Sequence, residues 1–271
     1  MILNVKNYVE QKKEKLKERV SALVERPSLL IIQVGDNPAS NSYIKGKMKD
    51  CEEVGINVHL IKEEEKWFCE KGIFEPEFYQ KILHADGVIL QLPVENKNLE
   101  FIITNAIKPY QDVDGFQLNS PFKPCTPAGI IDYLENGLHE NLEGKVITVI
   151  GKGPLVGGPI VPMLMKKGAT VISCNSKTKN LHQMIYMADI VISAVGKANI
   201  ITLNDIKGGQ IIIDAGTTRD KNNKLCGDAD KEIYDRGCVQ ITSVPSGVGL
   251  LTRLQLLENV ITAAENKVKG E

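Results

Sequence analysis

The run Val146-Ile147-Thr148-Val149-Ile150 passes directly into Gly151-Lys152-Gly153-Pro154-Leu155-Val156-Gly157-Gly158-Pro159 and then into an apolar stretch of helical character. A β-rich strand closed by spaced glycines at the mouth of a helix constrains the fold more than any other feature of this chain. Glycines there let the backbone approach a phosphate group closely, and the helix N-terminus adds unpaired N–H donors and partial positive charge. The spacing is GxGxxxG, one residue longer than the commoner dinucleotide fingerprint. Read alone, the loop also suits a tight strand-to-helix turn without a ligand.

The surrounding sequence supplies the sheet that such a loop needs. Downstream, strands are expected at 169–174, 189–195, 210–214 and 239–244, with a helix near 180–187. Upstream, a charged amphipathic helix covers the first 25 residues. The strand Ser28–Val34 follows, closed by the turn-forming Gly35-Asp36-Asn37-Pro38. A helix from about Ala39 stops at Gly55, and a short strand covers 57–62. A buried strand, 87–92, ends at Pro93, and helices fill 97–107 and 127–137. This alternation predicts an α/β fold with parallel sheets. The polar stretch His139–Lys145 marks a boundary. The expected division is an α/β domain over 1–139 and a Rossmann-type nucleotide domain over 140–249. The last segment, about 250–271, is expected to pack back on the first domain as a helix.

Composition narrows the function. Lys+Arg number 33 against 34 Asp+Glu, so no excess of positive charge points to nucleic acid or a membrane surface as partner. No apolar run has the length of a bilayer span, and the N-terminus turns charged at once, unlike a secretory leader. The six cysteines form no CxxC pair and the four histidines are not grouped with them. Reduced thiols in a cytosol and no bound metal are the expectation.

The strand end after the loop bears on the cofactor. A site that prefers NAD places an acid there to hold the ribose hydroxyls. Ser173-Cys174-Asn175-Ser176-Lys177-Thr178 has none, and Ser176 with Lys177 suits a 2′-phosphate. Lys152 is a second cation for it. Both lysines also read as ordinary solvated side chains. In the first domain, Tyr43 and Lys47 lie four apart and share a helix face. The pair offers a flat ring and a group that can move a proton. Gln91 ends a strand and Asp114 sits in the turn Asp112-Val113-Asp114-Gly115-Phe116, where α/β sheets bind ligands. Alone, these residues equally suit a half-buried Tyr beside a solvated Lys, a capping amide and a turn-forming Asp.

Together the motifs are more specific. Val34-Gly35-Asp36-Asn37-Pro38-Ala39-Ser40 with Tyr43 and Lys47 resembles the first signature of the methylenetetrahydrofolate dehydrogenase/cyclohydrolase family. Leu90-Gln91-Leu92-Pro93, Asp112–Phe116 and Pro124-Cys125-Thr126-Pro127-Ala128-Gly129 resemble the next three. The glycine loop, the turn Gly227-Asp228-Ala229-Asp230 and Val244-Pro245-Ser246-Gly247-Val248-Gly249 with Thr252 complete the set in family order.

The resemblance implies two domains with a cleft between them, a homodimer, NADP as cofactor and a folate substrate. Lys47 would be the acid/base, Gln91 would hydrogen-bond it, Tyr43 would stack on the folate and Asp114 would bind the pterin edge. Pro93, Gly247, Val248 and Leu250 would line the substrate site. Gly151, Lys152, Gly153, Gly157, Ser176, Lys177, Gly196, Thr217 and Thr252 would contact the cofactor. The implied chemistry is oxidation of 5,10-methylenetetrahydrofolate and hydrolysis of the methenyl product to 10-formyltetrahydrofolate. The chain departs from the family pattern at Ser246, Leu250-Leu251, Thr217, Asn175 and Lys152-Gly153-Pro154, all toward the cofactor side. Short-chain dehydrogenases also pair Tyr and Lys, but after the glycine loop rather than before it. A monofunctional dehydrogenase of the same family and a non-catalytic NADP sensor stand as alternatives.

Overall fold

The computed structural model describes residues 1–70 and 75–269. In chain order the elements are β1 (Ile2–Leu3), α1 (Val5–Ser21), β2 (Ser28–Val34), α2 (Pro38–Val54), β3 (Asn57–Glu63), α3 (Glu65–Glu70), α4 (Pro76–His84), β4 (Gly87–Leu90) and α5 (Lys97–Ala106). After α6 (Cys125–Asp132), which runs into a π turn at Tyr133–Gly137, come β5 (Val146–Ile150), α7 (Gly157–Lys166), β6 (Thr170–Cys174), α8 (Leu181–Met187) and β7 (Ile190–Ser193). The chain continues through β8 (Ile211–Asp214), β9 (Thr218–Arg219), β10 (Leu225–Cys226), α9 (Lys231–Arg236) and β11 (Gln240–Thr242) to α10 (Val248–Lys269). Two compact units result. One holds Gln11–Cys125 with Arg253–Glu271, the other Met1–Glu10 with Thr126–Thr252. Of the expected returning segment, 270–271 lie outside the described residues.

In the unit that contains Lys47, β3-β2-β4 form a parallel sheet. The middle strand, SLLIIQV, is buried on both faces from Leu29 to Gln33, as a parallel sheet inside an α/β unit requires. Leu30, Ile32, Val88 and Leu90 pack with Phe68, Phe78, Ile82, Leu99 and Ile103. Helix α2 starts where Asn37 accepts from Ala39 and Ser40 N–H and Pro38 presets the first turn. It ends at Gly55, whose φ of +90° is costly for other residues. Lys13 on α1 and Arg253 on α10 both reach Asp50 on α2.

The other unit carries a six-stranded sheet in the order β1-β11-β8-β7-β5-β6. Every pairing is parallel, so all strand C-termini lie at one edge. The order reverses at β5, with β6 on one side and β7 on the other. That crevice is where such sheets bind ligands. Ile150, Val191, Ile212 and Ile241 meet Ile185 and Ile233 in the core. Tyr8 ties α1's start to this unit: its ring stacks edge-on against Tyr133 at 5.2 Å, and its hydroxyl donates to Asp132 at 2.5 Å. Residues 126–137 belong to the same compact unit as the glycine loop, although the polar stretch at 139–145 lies further along the chain.

Candidate active site

Lys47 is buried, 4% exposed, so it is no solvated helix lysine. Its Nζ lies 5.2 Å from the centre of the Tyr43 ring, one turn back on α2. Asp114 is also buried. It follows Asp112, whose backbone bridges to Val88 on β4, and this pins the Asp112–Gly115 turn beside the sheet. Asn259 on α10 holds the turn from behind, donating to the Val113 carbonyl at 2.8 Å. Cys125 joins the group. Its thiol donates to the Val113 carbonyl at 3.2 Å. Full burial pushes that thiol well up, and the charge of Asp114 pushes it further, while Lys47 opposes them. Lys47, Asp114 and Cys125 thus share one electrostatic neighbourhood.

Gln91 follows β4, its N–H donating to the Ile32 carbonyl at 2.8 Å. Its side-chain Nε2 donates to the Leu92 carbonyl at 2.8 Å, while its buried Oε1 has no partner among the described residues. The expected Lys47–Gln91 hydrogen bond is therefore not made. The local Leu92 carbonyl takes the amide donor instead and leaves the acceptor free. A buried acceptor without a donor costs about 1–3 kcal/mol, and a ligand N–H is one way to recover it. Pro93 is exposed beyond it.

In the other unit, the glycine loop runs from β5 into α7. Gly151 has φ +102°, and a side chain there would stand 2.5 Å from the Ala194 carbonyl oxygen. A side chain at Gly157 would strike the Gly151 carbonyl. Gly153 faces open space. No side chain caps α7. Gly158 N–H donates to the Gly153 carbonyl at 2.8 Å and Pro159 carries no N–H, which leaves the Gly157 N–H at the helix mouth for another acceptor. The loop therefore has the shape of a phosphate cradle. The loops after β6, β7 and β8 line the same sheet edge and carry Ser176 and Lys177, Gly196, and Thr217, all exposed. At the β6 end, Asn175 accepts from Lys177 N–H at 3.0 Å and Thr178 Oγ1 accepts from Asn175 N–H at 2.8 Å. That turn turns Ser176 and Lys177 outward with no acid between them.

Three comparisons bear on this arrangement. Residues 3–114 match the tetrahydrofolate dehydrogenase/cyclohydrolase catalytic domain, and residues 124–268 match its NAD(P)-binding domain. The chain belongs to the tetrahydrofolate dehydrogenase/cyclohydrolase family. A bifunctional protein FolD from Bacillus cytotoxicus is 38% identical over 277 residues, covering 98% of this chain and 96% of that protein. Among solved structures, the bifunctional FolD methylenetetrahydrofolate dehydrogenase/cyclohydrolase from Campylobacter jejuni aligns with a TM-score of 0.88 at 35% identity, over 98% of this chain and 99% of that one. A bifunctional 5,10-methylenetetrahydrofolate dehydrogenase/cyclohydrolase from Thermoplasma acidophilum aligns at 0.86 and 29%, over 99% of this chain and 100% of that one.

The departures from the family pattern have local consequences. Ser246 sits at φ +73°, a left-handed conformation that glycine adopts freely and other L-residues pay for. Gly247 after it is required, because a side chain there would strike the Ser243 carbonyl. Leu251 is fully buried, and its carbonyl lies 2.6 Å from where a side chain on Gly129 would begin. Val248 is buried and Leu250 half-buried at the start of α10. Thr252 is 2.9 Å from Thr126, hydroxyl to hydroxyl. Cys125, Thr126, Asp228 and Arg253 were not singled out as site residues. The quoted motifs held the first three, and nothing local to Arg253 announces its partner.

Among the described residues no helix is long and apolar enough to cross a membrane, and no group of three or more His, Cys, Asp or Glu could hold a metal ion.

Proposed function

We propose that this chain oxidises 5,10-methylenetetrahydrofolate with NADP and hydrolyses the resulting 5,10-methenyl form to 10-formyltetrahydrofolate. The observation that carries the reading is the buried Lys47 beside the Tyr43 ring, in one electrostatic neighbourhood with Asp114. NADP, when bound, supplies the hydride acceptor.

The chain's own groups do the rest. Gly151, Gly153 and Gly157 with the uncapped start of α7 receive the pyrophosphate, with Lys152 at the loop's rim. Ser176 and Lys177 take the 2′-phosphate, and Gly196, Thr217 and Thr252 complete the cofactor contacts. Tyr43 gives the folate a flat apolar face, and Pro93 lines its site. Asp114 accepts from the pterin's polar edge, and the free Gln91 Oε1 takes a further donor. Lys47 removes a proton from the attacking water and returns one to the departing nitrogen. Six free thiols support a cytoplasmic setting, and the family likeness supports a homodimer.

The test is both activities on one purified preparation with methylenetetrahydrofolate and NADP. Turnover in both steps is expected. Hydride transfer without hydrolysis would make the chain a monofunctional dehydrogenase. Binding of both ligands with no turnover would make it a sensor.

A further inference from the structure

The turn Gly227-Asp228-Ala229-Asp230 has no part in the chemistry above, yet Asp228 is fully buried. Its Oδ2 accepts from Ser193 Oγ at 2.6 Å and from Val195 N–H at 2.8 Å. Its Oδ1 accepts from Lys197 N–H at 2.8 Å. The amides on either side of Gly196 are therefore both turned inward onto one carboxylate. Gly196 itself, at φ +74°, is left as the outward residue of that loop.

A second carboxylate locks onto the first. Asp214 accepts from Gly216 N–H and Asp228 N–H at 3.0 Å each and from Ala229 N–H at 2.9 Å. A side chain on Gly216 would collide with the Asp228 carboxylate, and one on Gly227 with that of Asp214. Each acid thus occupies the space that the other's loop leaves by having glycine. Among the described residues neither acid has a cationic partner within ion-pair distance, and six N–H or O–H donors share four oxygens. A side chain on Gly196 would stand 3.4 Å from the Thr217 carbonyl, so the two clamped loops abut. Gly151 of the phosphate loop presses on Ala194 from the other side.

We propose that Asp228, with Asp214, is a positioning residue of the cofactor site: it sets the Gly196 and Thr217 loops in the shape that receives the dinucleotide. The proposal rests on the reading that this unit binds NADP. The side chain touches no ligand itself, so its effect runs through the loops. Asp228→Asn keeps size and shape, but one of the three donors must then face an NH2 group. Losing one charge-assisted hydrogen bond in a buried site corresponds to roughly a tenfold loss in affinity. Ser193→Ala removes a single donor and should give a smaller loss, about threefold.

The experiment is titration of wild type, Asp228→Asn and Ser193→Ala with NADP and, separately, with 5,10-methenyltetrahydrofolate, followed by steady-state kinetics. The expected result is a weaker NADP Kd and a higher NADP KM in the order Asp228→Asn, Ser193→Ala, wild type. The kcat at saturating NADP and the folate Kd should stay near wild type. An NADP Kd unchanged in a folded Asp228→Asn, or equal losses for both ligands, overturns the proposal. If Asp228→Asn does not fold, Ser193→Ala decides alone: an unchanged NADP Kd overturns it. A wild-type chain that fails to bind NADP overturns the cofactor reading itself, and the clamp with it.

Discussion

The Arg253 guanidinium covers Gly46 so closely that a Cβ at position 46 would overlap Nη1, and its Nε stands 2.8 Å from Asp50 Oδ2. The Nε–H has no acceptor in line, so charge rather than an aligned hydrogen bond holds the pair. Asp50 also takes Lys13 Nζ at 2.6 Å, and Lys13 reaches Glu53 at 2.8 Å. Lys47 follows Gly46 directly, so this network braces the helix turn that carries it.

In an ordinary helix interior, Gly→Ala gains about 1 kcal/mol. Gly46→Ala should instead lose roughly 1–2 kcal/mol, because the methyl group displaces Arg253 and leaves Asp50 with one partner fewer. In an Arg253→Ala background the same change should become stabilising. Urea unfolding of the four proteins measures this. An equal effect of Gly46→Ala in both backgrounds would exclude the contact as its cause.

Lys47 should separate the two activities. Hydride transfer moves no proton to the protein and depends on placement, whereas ring hydrolysis needs proton removal and delivery. Lys47→Met should lower cyclohydrolase activity by about 10²–10⁴-fold and dehydrogenase activity by less. Lys47→Arg should not restore hydrolysis, because guanidinium stays protonated. Equal losses in the two reactions, with folate binding intact, would remove Lys47 from the role of proton shuttle.

The exposed turn after β6 bears on cofactor choice. Lys177→Ala should raise the KM for NADP several-fold, on the scale of about 1 kcal/mol for an exposed charge contact, and leave the KM for NAD near its starting value. A wild-type chain that uses NAD as well as NADP would contradict the assignment.

Asp214 should make stability depend on pH in a defined direction. Burial, the largest influence, pushes its carboxyl up to about 6. Between about pH 4 and 6 the folded chain therefore holds a proton that the unfolded chain has lost. Folding loses stability as pH rises through that window, by roughly 3 kcal/mol once the group is ionised. Asp214→Asn should flatten this part of the curve, measured as the urea midpoint from pH 4 to 7. Parallel curves for the two proteins would show that another group is responsible.

Much of the fold and half of the site were legible in single segments. The strands 28–34 and 146–150, the Gly35–Pro38 turn, the Gly55 stop and the glycine loop rest on interactions between residues a few positions apart, which a sequence displays directly. The shared face of Tyr43 and Lys47 follows from helical spacing alone. Short elements escaped this reading. β1 has two residues and is a strand only because it pairs with β11, Ile2 opposite Ile241. α3 and α9 have six residues each, too few to show a period. The remaining half of the site depended on distant partners. The Arg253 contact with Gly46, the Asp228 clamp on Ser193 and Val195, and the free acceptor of Gln91 join residues whose own neighbours carry no sign of each other. Local propensity and periodicity act along the chain, while burial and hydrogen-bond pairing are settled only when packing brings remote segments together. The sequence alone determined which residues could do the chemistry. Only the packed structure decided that Lys47 is buried, that Gln91 has an acceptor to spare, and that two acids brace the loops around Gly196 and Thr217.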